Sequence, residues 1–291
     1  MSLSRTLQSP EILSKIIGKS FDEMKDILME ISNRYYEENP KETTDIIKKN
    51  LESFGLPSDL NTVKKVQEHL VYHYIEKIFP LAGKPVDLAN FIKERMECTQ
   101  AKEMLTNAIK EGSVLIAVSH FGAVECMVTC LAYHKFIVNP VLKFTTQNFS
   151  KKLQDYAKLT EEAGFLAPIK FIEIGKPGAP NAMQMARVLD KKEILFTVFD
   201  EETPHSTPVK LFNRKVLGGS GLDRLLKFAH QKVTVFNAFM IRDGKNYRME
   251  LLPVNTNTDN LIQEMFNNMQ SILEKHYEQW YFLHEEIPFA D

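Results

Sequence analysis

From residue 113 onward the chain alternates short uncharged runs with amphipathic stretches, and that alternation limits the folds open to it. The runs 114–118, 136–142, 169–174 and 194–199 read as strands, and 126–133, 150–163 and 182–191 read as the helices between them. Strands separated by helices predict βαβ units, hence an α/β fold with a mostly parallel central sheet flanked by helices. After residue 199 come a loop over 201–208, a short strand over 209–212, and Gly218-Gly219-Ser220-Gly221 leading into a helix over 222–230. The runs 233–241 and 247–254 flank Asp243-Gly244-Lys245-Asn246, a hairpin signal. A last helix is expected from about residue 259 to the Trp280-Tyr281 region.

The first hundred residues follow a different rule. Ile12, Leu13, Ile16, Ile17, Phe21, Met24, Leu28 and Ile31 recur mainly at intervals of three and four, as in an amphipathic helix. Residues 63–79 carry a second apolar stripe. The expectation is one domain over 1–291, with a helical N-terminal region (1–112) packed on an α/β core (113–291). The first helix either packs on its own domain or lies on a membrane surface. Its mixed charges and lack of a strongly basic face favour the first.

His120 stands where chemistry is expected. It follows the apolar run 114–118, so it falls at the carboxyl end of a strand, the edge at which open α/β sheets place their sites. Glu125 falls on the first turn of the helix that follows. A carboxylate there can hold one imidazole nitrogen while the other faces substrate. The pair reads as a general base and its orienting acid, although any strand–turn–helix can carry one His and one Glu. Gly218 to Gly221 either presents backbone N–H groups to an anion or serves as a turn that lets its helix pack closely. Without the Lys-Ser/Thr of a P-loop or a GxGxxG pattern, nucleotide binding is disfavoured.

Composition removes other classes. The net charge of −2 excludes a general nucleic-acid binder. Residues 201–250 hold nine Lys/Arg against five Asp/Glu, about +4, which suits either a solvated face or an anionic partner. Three cysteines, Cys98, Cys126 and Cys130, make no disulfide framework. Cys126 and Cys130, a helical turn apart, read as small core residues rather than a metal pair, so no metal or cofactor is expected. Residues 112–134 are weakly charged, but Ser119, His120 and Glu125 lie in their middle, which argues against a membrane span. No basic start and apolar core of a secretory signal is visible, and a cytoplasmic location, peripheral to the inner membrane if membrane-associated, is expected.

Ser119-His120-Phe121-Gly122 followed by Glu125 resembles the HxxxxD/E block of the lysophospholipid acyltransferase superfamily. Within it, the chain is more similar to the lipid A biosynthesis lauroyl/myristoyl acyltransferases. Where that family reads His-Phe-Gly-Asn-Trp-Glu, this chain has Ala123-Val124 in place of the Asn-Trp pair. The resemblance continues at residues 46–51, at Phe199-Asp200, at residues 209–213 with the glycine-rich turn, and at residues 242–247. It closes at Trp280-Tyr281-Phe282-Leu283-His284, so that it covers roughly 45–285. Two family features are missing. In place of an apolar anchor helix there is the mixed-charge stripe of residues 12–31, and residues 143–164 hold Lys151, Lys152 and Lys158 but no arginine.

The resemblance implies an acyltransferase that moves a fatty acyl group from an acyl thioester to a hydroxyl or amine. The donor would be an acyl carrier protein or CoA ester, and the acceptor a lipid or small amphiphile. His120 would be the base, held by Glu125. Asp200 would orient the acceptor, and backbone near Phe121-Gly122 or at Gly219 would steady the oxyanion. Arg242 would bind the donor's phosphate or pair with an acid. The missing features point to an acceptor other than a membrane-embedded lipid A precursor. Three alternatives stand beside this reading: a metal-dependent hydrolase built on His120 and Glu125, a thioester-binding or condensing protein of a specialised-metabolite pathway, and a non-catalytic acyl-binding module.

Overall fold

The computed structural model describes residues 2–41, 44–143, 147–174, 181–203, 206–219, 221–227, 229–230 and 232–290, without the side chains of 147–150. Six helices come first: α1 (Leu3–Leu7), α2 (Pro10–Ile16), α3 (Phe21–Glu38), α4 (Thr44–Ser53), α5 (Leu60–Ala82) and α6 (Pro85–Arg95). Then follow β1 (Met96–Glu97), α7 (Thr99–Glu111), β2 (Ser113–Gly122), α8 (Val124–Tyr133), β3 (Val138–Leu142) and α9 (Gln147–Glu162). Next are β4 (Ile172–Glu173), α10 (Asn181–Leu189), β5 (Ile194–Val198), β6 (Ser206–Leu211), β7 (Arg214–Gly219) and α11 (Gly221–Lys227). The chain ends with β8 (Val233–Asp243), β9 (Asn246–Pro253), α12 (Leu261–His276) and two 3-10 turns, Tyr277–Gln279 and Tyr281–His284.

The protein is α/β. Seven strands lie in the order β1-β9-β8-β2-β5-β3-β4, and every neighbouring pair is parallel except the β8–β9 hairpin. Strand β2 is central and buried on both faces, which is why its sequence is a continuous apolar run rather than an alternating one. Val114, Ile116 and Val118 join one apolar cluster with Phe21, Met24 and Ile75. Leu115 and Ala117 join the opposite one with Leu51, Phe266 and Met269. The first cluster runs from Leu3 to Leu251, so the N-terminal helices and the sheet share a core.

Three local expectations need correction. The single helix drawn through residues 12–31 is two, because Gly18 takes φ +75° and Ser20 starts α3 with a reciprocal cap to Glu23. The apolar stripe is already used: Ile12, Ile16, Phe21, Met24 and Leu28 are buried in the core, so it offers no continuous membrane-facing side. Among the described residues, no helix is long and apolar enough to cross a membrane. The strand at 209–212 is half of a separate hairpin, β6–β7, which turns at Phe212 with φ +51° and takes Gly218 and Gly219 into its second strand. The strand over 169–174 shortens to two residues, β4.

Candidate active site

His120 lies near the carboxyl end of β2, at a break in its pairing. The register with β8 holds from Ser113 to Val118 and resumes, shifted, at Gly122 opposite Met240. Such an irregularity re-aims side chains without ending the strand. Gly122 makes the bend possible, since its φ is +57° and a Cβ there would sit 1.9 Å from the Met240 carbonyl oxygen. The Ala123 N–H donates to that same oxygen at 2.9 Å and starts α8.

Strand β5 runs beside β2, so Asp200, two residues beyond it, reaches the same edge. Its buried carboxylate accepts from the His120 backbone N–H at 2.9 Å and lies 2.9 Å from His120 Nδ1. It also accepts from Trp280 Nε1–H at 3.3 Å. The other ring nitrogen, Nε2, faces the exposed Glu201 carboxylate at 3.4 Å. The rings of Tyr281 and Phe282 flank the imidazole, with centroids 6.1 and 4.9 Å away. Burial pulls the His120 pKa down. The charge and hydrogen bond of Asp200, then the charges of Glu201 and Glu125, outweigh it and raise the group to about 9.

Glu125 does not hold His120. The helix starts at Val124 and turns the Glu125 carboxylate toward α5, 3.5 Å from His73 Nε2 and 3.7 Å from Lys77 Nζ. The carboxylate that meets the His120 ring is that of Asp200, 80 residues away in sequence. Local spacing gives no sign of that partner, and the resemblance assigns Asp200 to the acceptor instead. His73 was missed. It sits in the apolar stripe of α5, where burial holds it well below its usual pKa and so neutral, with its ring 4.3 Å from that of Tyr281.

The other expected residues make structural contacts. Arg242 is buried and makes a bidentate pair with Glu76 at 2.7 and 2.6 Å, while its Nη2 also donates to the Gly122 carbonyl at 2.6 Å. Its guanidinium is engaged in bracing the bend after His120, so it does not serve as a phosphate clamp. The Phe121 ring is fully buried and packs edge-on against Phe239. Gly219 spends its N–H on the Phe199 carbonyl at 3.1 Å rather than offering it to an oxyanion. At Gly218 a Cβ would come within 2.8 Å of the Phe266 ring, so this glycine serves close packing against α12. Ser220 lies outside the described residues.

A narrow cleft with room for about one water molecule opens nearby, lined by His69, His73, Gly122, Trp280 and Tyr281 among others, but His120 does not line it. The basic excess of 201–250 is spread out. Lys210, Arg214 and Lys215 lie on the β6–β7 hairpin and Arg224 and Lys227 on α11, while Lys232 pairs with Glu111 and Arg248 with Glu250. No family model and no curated protein matches the chain.

Proposed function

We propose that the protein is an acyltransferase that moves a fatty acyl group from an acyl thioester to a hydroxyl or amine acceptor. The observation that carries this reading is the buried His120–Asp200 dyad at the carboxyl edge of the sheet, with Nε2 turned toward the exposed side. A base held in this way needs no serine or cysteine nucleophile, because the acceptor itself can attack. The resemblance of residues 119–125 to the lysophospholipid acyltransferase block supports the same chemistry.

In the working form, His120 donates Nδ1–H to Asp200 and presents a bare Nε2. As the acceptor oxygen or nitrogen attacks the thioester carbonyl, its proton passes to Nε2. The tetrahedral intermediate then collapses, the C–S bond breaks, and the departing sulfur takes the proton from the imidazolium. Asp200 fixes the tautomer and stabilises the cation throughout. Because His120 titrates at about 9, the resting imidazole is mostly protonated at neutral pH, and the competent fraction grows about tenfold per pH unit below 9. A metal-dependent hydrolase is the weaker reading. Among the described residues, no three His, Cys, Asp or Glu ligand atoms converge at His120.

The proposed donor is an acyl carrier protein, with the basic side chains of β6–β7 and α11 as its docking face. Gly219 joins this hairpin to Phe199, the neighbour of Asp200. The test uses acyl thioesters on carrier protein and on CoA, with and without hydroxyl and amine amphiphiles, followed by thiol release at low and high salt. Acceptor-dependent release by the wild type, lost in His120→Ala, supports the reading. Near-full turnover in His120→Ala overturns it. A carrier-protein preference that fades with salt supports the docking face, and equal, salt-independent rates with both donors remove it. Robust activity only on membrane-embedded lipid A precursors would overturn the proposed choice of acceptor.

A further inference from the structure

At the far end of α8 from the dyad, three metal-ligating side chains come together from two parts of the chain. Cys130 and His134 lie one turn apart, the first in the last turn of α8 and the second at its C-cap. Cys98 arrives from the link between β1 and α7 and sets its Sγ 3.0 Å from that of Cys130. One ligand atom from each of Cys98, Cys130 and His134 lies within 4.8 Å of the other two. Both cysteines are buried, while His134 is half-buried.

Ordinary packing leaves two features of this cluster unexplained. The His134 Nε2 atom is buried and makes no regular hydrogen bond, its ring set beside the Cys98 thiol, although a buried ring nitrogen is normally satisfied. Cys98 occupies the N-cap of α7, where Ser, Thr, Asp or Asn would bond the helix N–H groups, yet it makes no capping bond. Its sulfur is directed to Cys130 instead.

We propose that Cys98, Cys130 and His134 form a binding site for a thiophilic divalent cation of the zinc class. Two thiolates and one imidazole are a recognised donor set for that ion, and three protein ligands leave a fourth position for water. At zinc–sulfur distances of about 2.3 Å, two sulfurs on one tetrahedral ion stand about 3.8 Å apart. The observed pair therefore has to open by less than 1 Å, within reach of small side-chain rotations. A disulfide between the two cysteines would leave the His134 nitrogen without a role.

The ion would tie the C-terminal end of α8 to the β1–α7 link. About 15 Å separates the ends of this ten-residue helix, so the site braces the helix and takes no part in the chemistry at His120. Sequence spacing hid it, because Cys98 precedes Cys130 by 32 residues and Cys126 is the nearer cysteine.

The test titrates the reduced, metal-free full-length protein with Co²⁺ and then with Zn²⁺. The expected result is one equivalent bound with a thiolate-to-cobalt charge-transfer band, displacement by zinc, and a rise in Tm. Cys98→Ser and His134→Gln should each weaken binding at least tenfold, while Cys126→Ala should retain it. His134→Gln alters a partly exposed side chain, so it keeps the test readable if the Cys98 variant folds poorly. The proposal fails if the folded, reduced wild type binds no stoichiometric metal. It also fails if binding survives in Cys98→Ser and His134→Gln, or if the isolated protein carries a Cys98–Cys130 disulfide and takes up no cobalt after reduction.

Discussion

Replacing Asp200 with Asn isolates the contribution of the dyad. The substitution keeps an oxygen for the His120 and Trp280 N–H groups but places an amide where Asp200 Oδ1 meets His120 Nδ1 at 2.9 Å. The amide can only donate there, so Nδ1 becomes the acceptor and the proton moves to Nε2, which leaves no base facing the acceptor. The same tautomer error in a serine protease triad costs roughly 10⁴-fold in kcat, and a loss of about 10³- to 10⁴-fold is expected here. His120 now stands at about 9 against 6.5 for a free imidazole, a difference of about 3 kcal/mol in favour of its protonated form. With the Asp200 charge gone and burial unchanged, the group should titrate below 6.5. The folded pKa of the wild type is raised, so its stabilisation is full below about pH 6.5 and is lost as pH rises through 9. The wild type should therefore exceed Asp200→Asn by about 3 kcal/mol in acid, a gap that narrows by pH 9. Urea unfolding across pH, imidazole NMR titration and kcat/KM with an acyl thioester read these effects. Wild-type turnover in Asp200→Asn, or a stability gap that widens with pH, would refute the reasoning.

Glu125→Gln should lower kcat/KM only a few-fold, because Glu125 faces His73 and Lys77; a loss equal to that of Asp200→Asn would restore it as the orienting acid. Gly122→Ala must relieve both a left-handed φ and a collision with the Met240 carbonyl, so urea denaturation should show a loss of about 1–3 kcal/mol or more. Arg242→Leu should cost about 3–5 kcal/mol by stranding the buried Glu76, and adding Glu76→Leu should recover much of it; equal stability of the single and double variants would contradict the pairing.

The sheet was legible because β2 is buried on both faces and so reads as an unbroken apolar run ending at His120. His120 itself stood out as a polar residue at the end of that run. Its partner did not, because a hydrogen bond across 80 residues is set by β2 and β5 lying side by side, which local spacing does not encode. Spacing suggested Glu125, but the start of α8 directs that carboxylate to α5. The resemblance left Arg242 either to bind the donor's phosphate or to pair with an acid, and only its contact with Glu76, 166 residues upstream, reveals it as a brace. The break at Gly18 and Ser20 was written in the sequence as a glycine followed by a capping box, yet the apolar period ran through it and masked it.

The central claim is that His120, held by Asp200, is the base of the reaction, and the pH dependence of kcat/KM tests it most directly, since that parameter reports the essential base of the free enzyme. With an acyl thioester and a hydroxyl acceptor, kcat/KM should climb about tenfold per pH unit from pH 6 and level off near 9, the value to which Asp200 and its neighbours raise His120. A profile that is flat between pH 6 and 9, or one that His120→Ala leaves unchanged, would contradict the account.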